Sequence, residues 1–353
     1  MKSTYDISKS YDWNYDNGPI YNENRPPILS SQKVKIWDHE LHSPIGIPAG
    51  PLLNSKYIEL YSNLAFDIPI YKTVRTCFRK SHQAPNCLYL QNTKQLKSNE
   101  ISSKIYTLEN EPNSIEEISI TNSFGIPSKA VEVWQEDISK ANSSMKDGQL
   151  MIVSCTGTPM AERGIIDDYV YCAQLAAEAG AKAIEVNYSC PNVTSKEGSI
   201  YQDAILSSKI SKSIKKVLPH IPLMIKIGYV QSDTELENII NANAKYVDGI
   251  AAINTIPMKP VDHNNHQALP GEGRIVSGIC GNIVRDIGIE LTSRIATIRN
   301  KNKFDFIVCG VGGITAPEHF NYYLAAGADI AMSATGAMWN PHLAIDWRKY
   351  NAK

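Results

Sequence analysis

The chain lacks an excess of charge of either sign, a long hydrophobic run and any closely paired cysteines. Its 353 residues carry 35 Lys and Arg against 36 Asp and Glu, and this balance argues against a dedicated nucleic-acid-binding protein. No stretch approaches the roughly 18 apolar residues of a membrane span, and the polar N-terminus does not resemble a signal peptide or a membrane anchor. Because the seven cysteines include no C-x-x-C pair, we expect reduced thiols in a cytoplasmic protein without iron–sulfur or structural zinc sites.

Short apolar runs recur along the chain and predict buried parallel strands. Each run is continuous instead of alternating with polar residues, as expected of strands that are covered on both faces. Eight strand–helix units over about 300 residues fit the size of a (β/α)8 TIM barrel. A doubly wound sheet is less favoured because the chain has no G-x-G-x-x-G turn. The runs are 45–50, 68–74, 150–155, 183–188, 223–228, 249–256, 306–311 and 329–334.

The segments outside these units divide the chain into an arm, a barrel and an insertion. Residues 1–32 lack periodicity, so we expect an N-terminal arm or extended segment and not a domain. The barrel is predicted over 33–345, beginning with a short hairpin near 33–41. The polar stretch 80–118 follows the second strand, and we expect it to form an insertion over the active-site face.

Polar side chains at the predicted C-terminal ends of the strands indicate where the chemistry takes place. Buried Asn side chains need partners for two donors and an acceptor, so several around one cavity favour a flat ligand such as a pyrimidine or a similar imide. The alternative for each of them is a structural polar group that is satisfied within the protein. The set comprises Lys72, Asn122, Asn187, Cys190, Asn192, Lys226, Asn254 and Thr255.

Two glycine-containing segments near the C-terminus predict a phosphate site. Residues 309–317 read as a strand, a glycine turn and the start of a helix, and residues 332–338 follow the last strand. Backbone amides of these two loops and of a helix N-terminus form the usual phosphate cradle of such barrels.

At this point the motifs resemble a known family. The loop VNYSCPN (186–192) is similar to the active-site loop of class 1 dihydroorotate dehydrogenases, and NSFGIPS (122–128) is similar to a substrate-binding turn of that family. The resemblance covers about residues 33–340. Further matching segments follow in the family's order: YKTV (71–74), IKIG (225–228), INTI (253–256), VSG (276–278) and VGGI (311–314).

The resemblance implies an FMN-dependent oxidation of dihydroorotate to orotate in pyrimidine biosynthesis, with Cys190 as the base. A thiol can serve as the base where its surroundings favour the thiolate, and a lysine can stabilise a reduced flavin. The implied substrate-binding residues are Lys72, Asn122, Phe124, Gly125, Ile126, Asn187, Asn192, Asn254 and Thr255. The implied FMN-binding residues are Ala49, Gly50, Lys72, Thr73, Asn187, Lys226, Ile253, Ser277, Gly278, Gly312, Gly313, Ala334 and Thr335.

Alternative functions remain open from the sequence. The barrel could belong to a dihydropyrimidine dehydrogenase-like flavoenzyme, or it could be a catalytically silent barrel that binds a phosphorylated ligand. A dihydrouridine synthase acting on tRNA is disfavoured by the net charge of −1. Fumarate, NAD through an iron–sulfur partner subunit, or a quinone could accept the electrons. The expected partners are dihydroorotate and a second copy of the chain, with neither nucleic acid nor a membrane span.

Overall fold

The computed structural model describes residues 3–91, 94–158, 162–189 and 199–352. The helices in chain order are α1 (Tyr11–Asn17), α2 (Ser55–Asn63), α3 (Val131–Ser144), α4 (Ile165–Glu178), α5 (Ala204–Val217), α6 (Asp233–Asn243), α7 (Arg285–Asn302), α8 (Pro317–Ala325), α9 (Thr335–Trp339) and α10 (Leu343–Asn351). The strands are β1 (Val34–Ile36), β2 (His39–Leu41), β3 (Ile45–Ile47), β4 (Ile68–Val74), β5 (Lys104–Tyr106), β6 (Ser119–Asn122), β7 (Ile152–Cys155), β8 (Ile184–Asn187), β9 (Leu223–Lys226), β10 (Gly249–Ala252), β11 (Ile256–Val261), β12 (Ser277–Gly281), β13 (Ile307–Val311) and β14 (Ile330–Met332).

Eight parallel strands close into a barrel in the order β3-β4-β7-β8-β9-β10-β13-β14. Each of them lies within one of the eight apolar runs, so the predicted (β/α)8 barrel is confirmed. Closure removes both sheet edges and leaves the carboxyl ends of all eight strands at one rim. The predicted hairpin is also present, because β1 pairs antiparallel with β2.

The two long intervals after barrel strands meet in a second sheet. Its order is β5-β11-β12-β6, so β5 and β6 from the interval after β4 join β11 and β12 from the interval after β10. One strand of this sheet, β5, lies within 80–118. The division of the chain into an arm, a barrel and an insertion stays a prediction.

The N-terminal arm differs from the extended segment that we expected. It contains helix α1, whose N-cap Ser10 accepts a hydrogen bond from the amide of Trp13 at 3.1 Å. Upstream, the amide of Thr4 donates to the carbonyl of Met338 at 2.8 Å, and its hydroxyl lies 2.6 Å from the Tyr61 hydroxyl. The arm is therefore ordered by contacts with distant parts of the chain, which local polarity does not reveal.

No helix in the described ranges combines the length and the apolar character needed to cross a membrane.

A buried ion pair fastens the last helix to the base of the barrel. Nη2 of Arg348 on α10 lies 2.6 Å from Oδ2 of Asp67, the residue before β4, and both side chains are almost fully buried. Ser43 Oγ also donates to Oδ2, at 2.5 Å. Burial raises the pKa of the Asp67 carboxyl, and Arg348 opposes this effect.

We predict that Arg348→Met lowers the free energy of unfolding by about 3–5 kcal/mol at pH 7, because it leaves a buried carboxylate without its cation. The loss should shrink toward pH 5, since protonation of Asp67 removes the uncompensated charge and its pKa is raised further in the variant. Urea unfolding at both pH values measures the effect. Arg348→Met in an Asp67→Asn background should cost much less, and an equal cost in both backgrounds would contradict the pairing.

Candidate functional site

A cavity with an empty volume of about 1020 Å³ opens at the carboxyl ends of the barrel strands. Its walls come from β4, β6, β8, β9, β12 and β13, from the segments that follow β3, β6, β10 and β14, and from the N-terminal arm. This position is typical of ligand sites in such barrels. The predicted residues that line it are Ala49, Gly50, Lys72, Thr73, Asn122, Phe124, Gly125, Ile126, Asn187, Lys226, Asn254, Thr255, Ala334 and Thr335.

The other predicted site residues either are not among those that line the cavity or lie outside the described part of the chain. Gly278 pairs with Asn122 in the second sheet, beside Ser277. The amide of Ile253 donates to the carbonyl of Val311 at 2.9 Å, and Val311 itself lines the cavity. Gly312 and Gly313 follow β13 directly. Cys190 and Asn192 lie outside the described residues.

Amide and hydroxyl side chains form the polar part of the cavity wall. Asn254 Nδ2 donates to Oδ1 of Asn187 at 3.0 Å and also to the carbonyl of Ser189. The Thr255 hydroxyl is buried and has no hydrogen-bond partner among the described residues. Since buried polar atoms are almost always satisfied, a ligand in the cavity would have this hydroxyl available as a hydrogen-bond partner.

Two glycines, in the segments after β3 and β13, have positive φ angles. Gly50 has φ +145°, and a Cβ placed on it would point into open space within the cavity wall. Gly313 has φ +63°, and a Cβ there would overlap the backbone of Arg285, so only glycine fits. The loop after β14 is held close by, because Ser333 Oγ donates to the carbonyl of Ile314 at 2.7 Å.

The start of α8 contributes less to a phosphate site than the sequence predicts. The amides of Thr315 and Ala316 both donate to Nδ1 of His319, at 3.2 Å each. Burial and the nearby Arg285 lower the pKa of His319 to about 4, so this ring nitrogen is unprotonated at neutral pH and accepts. His319, a side chain of the helix itself, therefore accepts hydrogen bonds from two amides at the helix start, where we expected a phosphate to bind. The remaining candidates for binding a phosphate are Gly312, Gly313, Ala334 and Thr335.

A buried carboxyl group lies inside the barrel, close to the ammonium group of Lys226 in the cavity wall. Glu185 precedes Asn187 by two residues on β8 and so faces the same interior. In the register of β8 and β9, Asn187 pairs with Lys226. Both Glu185 oxygens are buried without a hydrogen-bond partner among the described residues. Burial raises the pKa of Glu185, while Lys226 and the nearby Ser154 hydroxyl lower it.

The turn at 122–126 lines the cavity, and other segments of the chain hold its carbonyls. The carbonyl of Phe124 accepts from the amide of His82 at 3.0 Å, and the carbonyl of Ile126 accepts from Arg75 Nε at 3.0 Å. Gly125 has φ +77°, and a Cβ there would overlap the His82 imidazole. The amides of Phe124, Gly125 and Ile126 have no recorded acceptor in the described ranges, and all three residues line the cavity.

The sequence reasoning missed the aromatic residues that the arm adds to the cavity wall. Tyr5 and Tyr11 line the cavity and pack edge-on against Phe124, with ring centroids 5.9 and 6.1 Å apart. The available signal was Ser10, a good N-cap residue, followed by Tyr11 and Tyr15 at helical spacing. Burial raises the pKa of both cavity tyrosines, so they stay neutral phenols.

Comparisons with known proteins point to one family. A family model described as dihydroorotate dehydrogenase matches residues 109–345. A dihydroorotate dehydrogenase of Dictyostelium discoideum is 39% identical over 364 aligned positions, covering 99% of this chain and 98% of that protein. A dihydroorotate dehydrogenase B (NAD(+)) catalytic subunit of Alkaliphilus metalliredigens is 28% identical over 51% of this chain and 57% of its own length. The crystal structure of DHODH in complex with ferulenol from Eimeria tenella superposes with a TM-score of 0.69, at 15% identity, over 90% of this chain and 82% of that one. This likeness supports the fold.

We predict that Glu185→Gln gains stability relative to the unchanged protein as the pH rises from 5 to 8. The pKa of Glu185 is higher in the folded state than in the unfolded chain, so the carboxyl costs stability as it ionises, and Gln does not titrate. The difference in the free energy of unfolding between the variant and the unchanged protein should grow by about 1–3 kcal/mol, the usual cost of a buried unsatisfied group. Urea unfolding across this range measures it, with the exposed Glu132→Gln as a control. A gap that does not change with pH would contradict the assignment.

Proposed function

From the premise that the chain belongs to the dihydroorotate dehydrogenase family, we propose that the cavity holds FMN and that Cys190 is the base. As a member of the family, the chain is an oxidoreductase that converts dihydroorotate to orotate. The observation that carries the proposal is the convergence of Lys72, Lys226 and three asparagines on one cavity at the barrel rim.

The residues present fit a flavin. Gly50 leaves open space in the cavity wall, and Lys226 supplies a buried cation at the end of β9. Family members are flavoproteins, and a bound flavin supplies the two-electron acceptor. We assign Lys226 to the N1–O2 edge of the isoalloxazine, where its charge favours the reduced form. The phosphate is assigned to Gly312, Gly313, Ala334 and Thr335, and the ring contacts to Ala49, Thr73, Ile253, Ser277 and Gly278.

Substrate binding is assigned to the asparagines and to the turn at 122–126. Asn122, Asn187 and Asn254 line the cavity and can bind the donors and acceptors of a dihydropyrimidine ring. The amides of Phe124, Gly125 and Ile126, together with Lys72, suit a carboxylate. Asn192 and Thr255 complete the proposed set. This arrangement holds the ring edge and the carboxylate at separate places, so it fixes the orientation of the substrate.

Proton removal is assigned to Cys190. Oxidation across a C–C bond needs a base for the proton on the carbon next to the one that gives up hydride. Cys190 directly follows Ser189, whose carbonyl accepts a hydrogen bond from Asn254 and whose amide donates to Asn187 Oδ1 at 3.1 Å. The proposal rests on the SCPN loop in the sequence and on the hydrogen bonds that hold the preceding residue, Ser189.

The proposal extends to location, assembly and electron acceptor. Seven cysteines without a C-x-x-C pair support a cytoplasmic location, and we propose a homodimer. Light scattering of the purified protein tests the dimer. Anaerobic reoxidation of the reduced enzyme with fumarate, a quinone, and NAD with a partner iron–sulfur subunit identifies the acceptor.

We predict that Cys190→Ala slows flavin reduction by dihydroorotate by about 10²–10⁴-fold, since the proton then has no positioned acceptor. Cys190→Ser should retain some activity that recovers at higher pH. Anaerobic stopped-flow between pH 6 and 10 measures both variants, and the released cofactor is identified as FMN by mass. The control is Cys309→Ala, which replaces a buried cysteine on β13, and the flavin of this variant should be reduced at the normal rate. Reduction of Cys190→Ala at the wild-type rate would overturn the assignment.

We predict that Lys72→Ala weakens dihydroorotate binding and slows flavin reduction, because the variant loses a cation that faces both ligands. Dihydrouracil, which has no carboxylate, should be a poor substrate of the unchanged enzyme. Oxidation of dihydrouracil as fast as dihydroorotate would favour the dihydropyrimidine dehydrogenase-like alternative. A protein that is not bleached by dihydroorotate would favour the silent phosphate-ligand-binding barrel.

A further inference from the structure

A buried arginine outside the predicted site clamps the turn at 122–126 from behind. Arg274 lies in the interval between β11 and β12, and its side chain is only 5% exposed. Its Nε donates to Ser123 Oγ at 3.0 Å, and Nη2 donates to the carbonyl of Ser123 at 3.1 Å and to that of Pro85 at 2.9 Å. Nη1 donates to the carbonyls of Gln83 and Pro270, at 2.7 and 2.8 Å. One guanidinium thus joins three segments of chain.

The charge of Arg274 is not neutralised by a carboxylate among the described residues, since every recorded partner is a carbonyl or a hydroxyl. Burial lowers the pKa of the guanidinium, but an arginine remains protonated in proteins. A buried cation without a counter-ion is costly, and an anion bound at the neighbouring turn would offset this cost.

The clamp also determines which way the peptides of the turn point. The carbonyl of Ser123 is held by Arg274 and by Asn86 Nδ2, the latter at 2.9 Å, and the next carbonyl, of Phe124, is held by the His82 amide. In a trans peptide the N–H points away from the C=O. The amides of Phe124 and Gly125 are therefore directed away from the clamp, and the hydrogen bonds to the carbonyls polarise these peptides further.

We propose that Arg274 is a positioning and specificity residue that makes the turn at 122–126 selective for a carboxylate-bearing ring. It fixes the carbonyls on one side so that the amides face the ligand, and its charge favours an anion at those amides. This inference rests on the proposed function, because the anion in question is the carboxylate of dihydroorotate or orotate. It adds a residue that does not itself line the cavity.

The fork of the guanidinium is essential to this role. A lysine carries the same charge but cannot donate in five fixed directions. Arg274→Lys should therefore keep the attraction for an anion but no longer hold the carbonyls of the turn in place. Arg274→Gln loses both. The two variants therefore separate the contributions of position and of charge.

The test compares a carboxylate ligand with a ligand that lacks one. Binding of orotate and of uracil to the flavin-loaded enzyme is followed by the change in the flavin absorption spectrum. We expect Arg274→Gln to raise the Kd of orotate about tenfold or more and to leave that of uracil within about twofold, as for the loss of a nearby charge in a buried site. Arg274→Lys should lie in between. The KM for dihydroorotate should rise more than kcat falls.

The matched control is Arg348→Lys, a buried arginine at the base of the barrel whose loss should lower stability without changing the ratio of the two Kd values. Equal weakening of orotate and uracil by the Arg274 variants, or orotate binding unchanged in them, would overturn the inference alone. If Arg274→Gln does not fold, Arg274→Lys gives the same comparison. An unchanged enzyme that neither binds orotate nor is reduced by dihydroorotate would overturn the proposed function, and this inference with it.

Discussion

Closure of the barrel is the constraint on which the rest of the structure depends. The hydrogen bonds between β14 and β3 complete the ring, and every other barrel strand already has two neighbours. Because all eight strands run parallel, their carboxyl ends meet at one rim. Residues far apart in the chain, such as Lys72 and Lys226, are thereby brought into one cavity. The site is a direct consequence of the topology.

Charged side chains are buried near the rim, although the interior of a barrel is otherwise apolar. Lys226 is buried in the cavity wall and Glu185 is buried close to it, while Arg75 and Arg274 are buried and bond to the turn at 122–126. Burying an ion is costly unless a partner or a ligand compensates for it. These charged groups lie around one cavity, whereas apolar residues such as Ile70 and Met332 fill the rest of the barrel interior. A ligand bound in the cavity would therefore compensate for the cost of burying them.

Some backbone amides around the cavity donate hydrogen bonds within the protein, and others are left to bind a ligand. His319 takes the amides of Thr315 and Ala316, so the start of α8 is satisfied by the protein itself. The turn at 122–126 shows the opposite arrangement. Other segments hold the carbonyls of Ser123, Phe124 and Ile126, and the amides of Phe124, Gly125 and Ile126 have no acceptor in the described part of the chain. The donors that hold these carbonyls thus decide which amides can bind a ligand.

The sequence by itself determined the barrel and much of the site. Continuous apolar runs marked the strands because strands covered on both faces must be apolar, and Asn187 or Lys226 stood out because polar residues at such positions are unusual. Only the tertiary structure decided the roles of α1, His319 and Arg274. Their partners lie far away in the sequence, as with Arg274 and Ser123, which are 151 residues apart. No local pattern encodes such contacts, because they form only when loops that follow different strands meet above the rim of the closed barrel.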